Sequence, residues 1–259
     1  MLVVISPAKR LDETVAPRPD ATLPDFQSDA THLAKVAGDL DVPDLQKLMK
    51  ISEDLAKLNA GRFASFEATS TPENAHPAAL MFAGDTYAGL EAPTMDEDAL
   101  RWAQDHLRIL SGLYGLLRPL DLIQPYRLEM GSRLANTRGK SLYDYWGDQL
   151  AEALNQQGKA VGTDTLINCA STEYFKAADR KALALQVITP VFLEQRGNDA
   201  KIISFFAKKA RGSMARFVME NRLSNPEDLR DFTLGGYRYD ADRSTPEQPV
   251  FLRAEAQAA

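Results

Sequence analysis

Five segments of the chain place side chains that could do chemistry close together. Ile5-Ser6-Pro7-Ala8-Lys9-Arg10 sets a polar, basic stretch directly after an apolar run. Ligands of open sheets gather beyond strand ends, so Lys9 there can meet a phosphate or act as an amine nucleophile. It can equally be a surface lysine. In Asn168-Cys169-Ala170-Ser171-Thr172-Glu173-Tyr174-Phe175-Lys176, an apolar run leads into a capped polar turn. Glu173, Tyr174 and Lys176 offer an acid, a phenol and an amine for proton transfer. Cys169 has no neighbouring histidine to make it a nucleophile and reads as a buried structural thiol. Gln124-Pro125-Tyr126-Arg127-Leu128-Glu129-Met130-Gly131 presents an arginine suited to bidentate phosphate binding, or to pairing with Glu129 or another acid.

Two further segments point to a polyanion. In Leu107–Pro119, Gly112 and Gly115 stand three apart in an apolar frame, with Arg118 after them. This pattern loosely resembles the hairpin of helix-hairpin-helix modules, where glycines let backbone amides approach a phosphate. A tight turn inside the core fits it too. Residues 206–217 hold Lys208, Lys209, Arg211 and Arg216. At 100° per residue Ala210, Met214 and Phe217 form a docking face, with Lys209 and Arg216 on one flank and Lys208 and Arg211 on the other. Three of these cations sit near the helix start, against the macrodipole preference, and a bound anion would offset that cost.

The elements that must position these groups are legible in outline. Leu2–Ile5, residues 80–83, Thr165–Cys169, residues 184–193, residues 201–206, Tyr237–Tyr239 and residues 250–252 read as strands. Helices are expected over 30–40, 42–58, 96–107, 141–157 and 207–222, the second ending at Asn59-Ala60-Gly61. Residues 12–27 hold three prolines and read as an excursion. Helices and strands alternate irregularly without a repeat or a flexible linker. A single α/β or α+β domain over residues 1–259 is therefore expected.

Composition bounds the function. The chain has 259 residues, 44% of them hydrophobic, and a net charge of −6. Residues 1–100 carry 8 basic and 17 acidic side chains, whereas 201–222 carry six basic and one acidic. A uniform basic coat is excluded, but a local basic cleft is not, because screening confines each charge to roughly 10 Å at 0.1 M salt. One cysteine and three histidines exclude an internal disulfide and a Cys/His zinc cluster, so no metal and no cofactor are expected. No apolar run reaches membrane-spanning length and the N-terminus lacks signal-peptide character, which predicts a cytoplasmic protein without a membrane partner.

The same segments identify a resemblance to the bacterial YaaA family of peroxide stress proteins. It rests on Ser6-Pro7-Ala8-Lys9, Leu110–Gly115, Leu117-Arg118-Pro119-Leu120-Asp121, Pro125–Gly131, Glu173-Tyr174-Phe175-Lys176 and Ala207–Gly212, in that order along nearly the whole chain. The resemblance implies a compact mixed α/β (α+β) fold of unusual topology, with a helix-hairpin-helix-like element and a basic cleft. It implies binding of double-stranded DNA and protection against hydrogen peroxide through lower intracellular free iron. On that reading Lys9, Gly112, Gly115, Arg118, Arg127, Lys208, Lys209, Arg211 and Arg216 contact DNA. No protein partner is implied, and a monomer is expected. The alternative is an enzyme acting on a nucleotide or on DNA bases, glycosylase- or lyase-like, with Lys9, Glu173, Tyr174 and Lys176 as its site. Direct iron sequestration ranks last, since one cysteine and three scattered histidines form no Cys/His cluster.

Overall fold

Leu2–Ile5 is an unbroken apolar run, as a strand buried on both faces requires, and it forms β1 at the centre of the main sheet. In the computed structural model, which describes residues 1–197 and 199–254, a two-residue strand β2 (Arg10–Leu11) follows. Three helices come next: α1 (Gln27–Gly38), α2 (Val42–Met49) and α3 (Glu53–Ala64). Asp41 caps α2 by accepting the Asp44 N–H at 2.8 Å, and Ser52 caps α3 by accepting the Leu55 N–H at 3.4 Å. The single helix expected over 42–58 is thus two, broken at Lys50, whose φ of 53° lies in the left-handed region. The second runs past Asn59 and Gly61, because the buried Asn59 amide donates to Leu55 O at 2.7 Å, within its own helix.

Small elements then cross the molecule: β3 (His76–Pro77), α4 (Ala78–Met81), β4 (Phe82–Ala83) and α5 (Asp85–Leu90). Where a strand is expected over 80–83, a helical turn leads into two strand residues. Helix α6 (Glu97–His106), capped by Asp96 on the Ala99 N–H at 2.7 Å, passes without a loop into β5 (Leu107–Ser111). Strands β6 (Gly115–Leu117) and β7 (Leu122–Ile123) follow. The helix expected over 141–157 is α7 (Leu142–Trp146) and α8 (Gln149–Ala160), parted at Gly147, whose φ is +50°. Then come β8 (Thr165–Cys169), α9 (Thr172–Phe175) and β9 (Gln186–Ile188). Beyond Pro190 lie β10 (Val191–Arg196), β11 (Asp199–Lys201), α10 (Ser204–Glu220), β12 (Tyr237–Tyr239) and β13 (Val250–Arg253). Of the strand expected over 201–206, Lys201 ends β11 and residues 204–206 open α10.

The architecture is mixed α/β. The main sheet has the order β6-β5-β1-β8-β9, with β1 parallel to both β5 and β8, β8 parallel to β9, and β6 antiparallel at the edge. The second sheet is β11-β10-β13-β12. Buried residues of both sheets and of the helices belong to one hydrophobic cluster. From β1 the chain moves to β5 on one side, whereas from β8 it moves to β9 on the other. The carboxyl ends of the adjacent strands β1 and β8 are thus a topological switch point, where open sheets leave a crevice.

The hairpin at Gly112 and Gly115 joins two strands, not two helices. Both glycines are buried. A Cβ on Gly112 would lie 2.3 Å from Leu128 O, and one on Gly115, whose φ is +68°, would meet the Trp146 ring at 2.7 Å. The Trp146 indole donates to Gly112 O at 3.1 Å. The helix-hairpin-helix-like element expected here is a turn between two strands packed in the core, where the Tyr114 N–H donates to Ser111 Oγ at 2.9 Å. A short helical hairpin occurs instead at α2 and α3.

Candidate functional site

A cleft of about 540 Å³ opens at the switch point. Its floor is the end of β1 and β8. The Ser171 N–H donates to Ser6 Oγ at 2.8 Å, and the Ser6 hydroxyl donates to Ser171 Oγ at 3.3 Å, joining the two strand ends. The Tyr87 hydroxyl donates to Ser6 O at 3.2 Å and ties α5 to the same point. Cys169 lies beneath. It is buried, and burial pushes its thiol up to about 12, with Arg211 acting weakly in the opposite direction.

Helix α10 forms one wall because it packs against β1, β8 and, most extensively, α5. The α5–α10 crossing is made by two glycines. A Cβ on Gly212 would fall 1.8 Å from Thr86 O, and one on Gly89 would fall 2.0 Å from Lys209 O, so the backbones touch. This approach brings Lys208 and Arg211 to the cleft that Lys9 and Arg10 also line. The lining carries those four cations against two acids, Asp85 and Glu173. Glu173 Oε1 accepts the Gly131 N–H at 2.9 Å, which fixes the acid to the 125–131 segment. Tyr174 is buried, and its phenol is held protonated by desolvation and by the charges of Glu173 and Glu129.

Beside the cleft sits a shared carboxylate. Glu129 Oε1 lies 3.1 Å from Lys9 Nζ and 3.1 Å from Arg127 Nη2, and accepts the Arg127 Nε–H at 3.2 Å. Its buried Oε2 has no hydrogen-bond partner among the described residues. One acid thus faces two cations, and Lys9, 66% exposed, keeps its amine accessible.

The candidate residues divide accordingly. Lys9, Lys208, Arg211, Glu173 and Tyr174 line one cleft. Lys209 and Arg216 line a neighbouring cavity on the other flank of α10. Arg216 pairs with Glu220 at 2.6 Å and donates to Glu91 O and Thr94 Oγ1, which staples α10 to the end of α5. Arg118 pairs with the buried Asp121 at 2.9 Å and donates to Leu23 O. Arg127 is committed to Glu129. Lys176 stands over the Tyr143 ring at 5.1 Å, outside the cleft. Arg10, Asp85, Thr86 and Tyr87 belong to the lining without having been singled out in the sequence. Gly84-Asp85 closing a short apolar run was the available signal. Among the described residues no group of three or more His, Cys, Asp or Glu side chains could hold a metal ion, and no helix is long and apolar enough to cross a membrane.

Fold and cleft together define a mixed α/β protein with a polar, cation-rich crevice at the ends of its parallel strands. Residues 1–243 match the family model described as peroxide stress protein YaaA, and the chain belongs to that family. Its similar relatives include a UPF0246 protein of Dinoroseobacter shibae, 61% identical over 259 residues (100% of this chain and 97% of that protein). A UPF0246 protein of a Jannaschia species is 63% identical over 257 residues, covering 99% of this chain and 98% of that protein. UPF0246 protein SPO0106 of Ruegeria pomeroyi is 61% identical over 254 residues, covering 98% of each.

Proposed function

We propose that this YaaA-family peroxide stress protein works in the cytoplasm by binding double-stranded DNA, with backbone phosphates running past the mouth of the cleft. The observation that carries the reading is the convergence of Lys9 and Arg10 with Lys208 and Arg211, two chain segments about 200 residues apart, on one crevice. The exposed members can reach phosphates from a protein whose overall charge is negative, since distant acids are screened over roughly 10 Å. Lower intracellular free iron is the cellular outcome the reading includes. It is assigned to no residue.

The test is the salt dependence of duplex affinity. Four neutralised phosphates give a slope of log K against log salt near −3.6, at about −0.9 per contact. Replacing Arg10 and Lys208 together by Ala should flatten it by about 2 units. A folded double variant that keeps the full slope refutes the reading. The presence of Lys9 and Glu173 in the same cleft favours a second, enzymatic reading on abasic or damaged duplexes. Borohydride trapping of a lysine imine, absent in Lys9→Ala, separates the two.

A further inference from the structure

We infer that the interior of the cleft is a binding site for a nucleoside monophosphate, held at the switch point whether or not a duplex crosses the mouth. Size is the first argument. The cleft encloses about 540 Å³. It falls within the range of small-molecule sites, roughly 300–1,000 Å³.

The second argument is an unmet cation. Arg211 is half-buried on the cleft wall, and its side chain has no hydrogen-bond or ion-pair partner among the described residues. Lys208 beside it has none either. Every other arginine singled out in the sequence is paired: Arg118 with Asp121, Arg127 with Glu129 and Arg216 with Glu220. A guanidinium drawn partly out of water and left with free donors is costly, and a doubly charged phosphate matches its fork. Ser6 and Ser171, bonded to each other at the strand ends, add hydroxyls at the same floor.

The third argument is the remainder of the lining. The largely buried Tyr87 and Tyr174 reach the lining of the cleft, and both stay protonated because burial raises them. Neutral rings beside a cationic wall suit a planar base joined to a phosphate. The acids Asp85 and Glu173 leave the lining two charges positive, which a phosphate monoester dianion balances.

Calorimetric titration of the full chain tests this with 2′-deoxyadenosine 5′-monophosphate, inorganic phosphate and deoxyadenosine. The nucleotide should bind at least about tenfold more tightly than either fragment, the factor one additional net interaction of about 1.4 kcal/mol carries. Arg211→Gln should weaken it at least about tenfold, the loss expected of a charge-assisted hydrogen bond. No nucleotide binding, or equal affinity for nucleotide and phosphate, overturns the inference, as does an unchanged nucleotide affinity in folded Arg211→Gln. Should Arg211→Gln fail to fold, the exposed Lys208→Ala decides: weaker nucleotide binding supports the site and unchanged binding overturns it. Duplex affinity measured in parallel keeps the readings apart. Nucleotide binding that depends on Arg211, without duplex binding, removes the DNA reading and leaves this one standing.

Discussion

The contact between α5 and α10 makes a strong prediction, because a single methyl group tests whether the cleft depends on it. A Cβ on Gly212 would sit 1.8 Å from Thr86 O and 2.8 Å from Leu90 N, where ordinary contact begins at 3.4 Å. Both obstacles are backbone, so no side chain can rotate away. Gly212→Ala must push the helices apart by roughly 1.5 Å, and overpacking of a well-filled contact costs about 1–3 kcal/mol. Here the cost lies at or above the top of that range, because the buried residues Ala207, Ala210, Met214 and Ala215 share the displaced face. Helix propensity returns about 1 kcal/mol, leaving a net loss of about 2–3 kcal/mol. For a chain of this length that is a drop of roughly 5–10 °C in Tm.

Gly61→Ala is the matched control. Gly61 is a helical glycine of α3, is exposed, and would place its Cβ with nothing within 4 Å. It should gain up to about 1 kcal/mol, a rise of about 2–4 °C. The two changes are chemically identical and opposite in sign. Thermal unfolding followed by far-ultraviolet circular dichroism and calorimetry decides. A Gly212→Ala protein as stable as the parent would show that the helices do not touch. The same displacement moves Arg211, the preceding residue, away from the Ser6–Ser171 floor, so it should also weaken anion binding.

Other outcomes follow from burial. Cys169, with its thiol pushed up to about 12, should resist a disulfide reagent at pH 8 in the native protein and react fully once unfolded; prompt native reaction would refute its burial. His106 stacks on Trp102 at 3.6 Å and bonds Met1 O through Nδ1 at 3.0 Å, and burial lowers its pKa below the usual 6.5. The unfolded chain therefore takes up the proton first, and stability should fall as pH drops below about 6.5. Denaturant midpoints at pH 7.5 and 5.5 should differ less in His106→Phe than in the parent, and an identical difference would refute the assignment.

Much of the scaffold is legible in the sequence because burial writes itself into apolar runs. Leu2–Ile5 and Thr165–Cys169, the strands that carry the cleft floor, are such runs, and α10 shows its docking face at helical spacing. Boundaries failed where the cause is tertiary or lacks a compositional mark. Lys50 takes a left-handed conformation without being glycine, and α6 turns into β5 with no intervening residue. Of the site, Lys9 and Glu173 stand out by type and place. Arg118, Arg127 and Arg216 look equivalent to Arg211 in the sequence and are not. The first two are neutralised by acids within three residues of them, and Arg216–Glu220 has the i,i+4 spacing of a helical ion pair.

This contrast gives the cleft its meaning. A chain with 36 acids and 30 Lys or Arg residues has acid enough to pair its cations, and it does so where they serve the fold. Arg18 is held by Asp20 and Glu97, and Arg62 by Glu13. Other acids cap helices, as Asp41 and Asp96 do. In the crevice the pattern reverses: among the described residues Lys208 and Arg211 have no acidic partner, and Lys9 shares one carboxylate with Arg127. Leaving cations unmatched beside a desolvated wall costs stability in the free protein. The cost is recovered only when an anion arrives, and the local excess of two charges, not the global −6, sets the field that the anion meets.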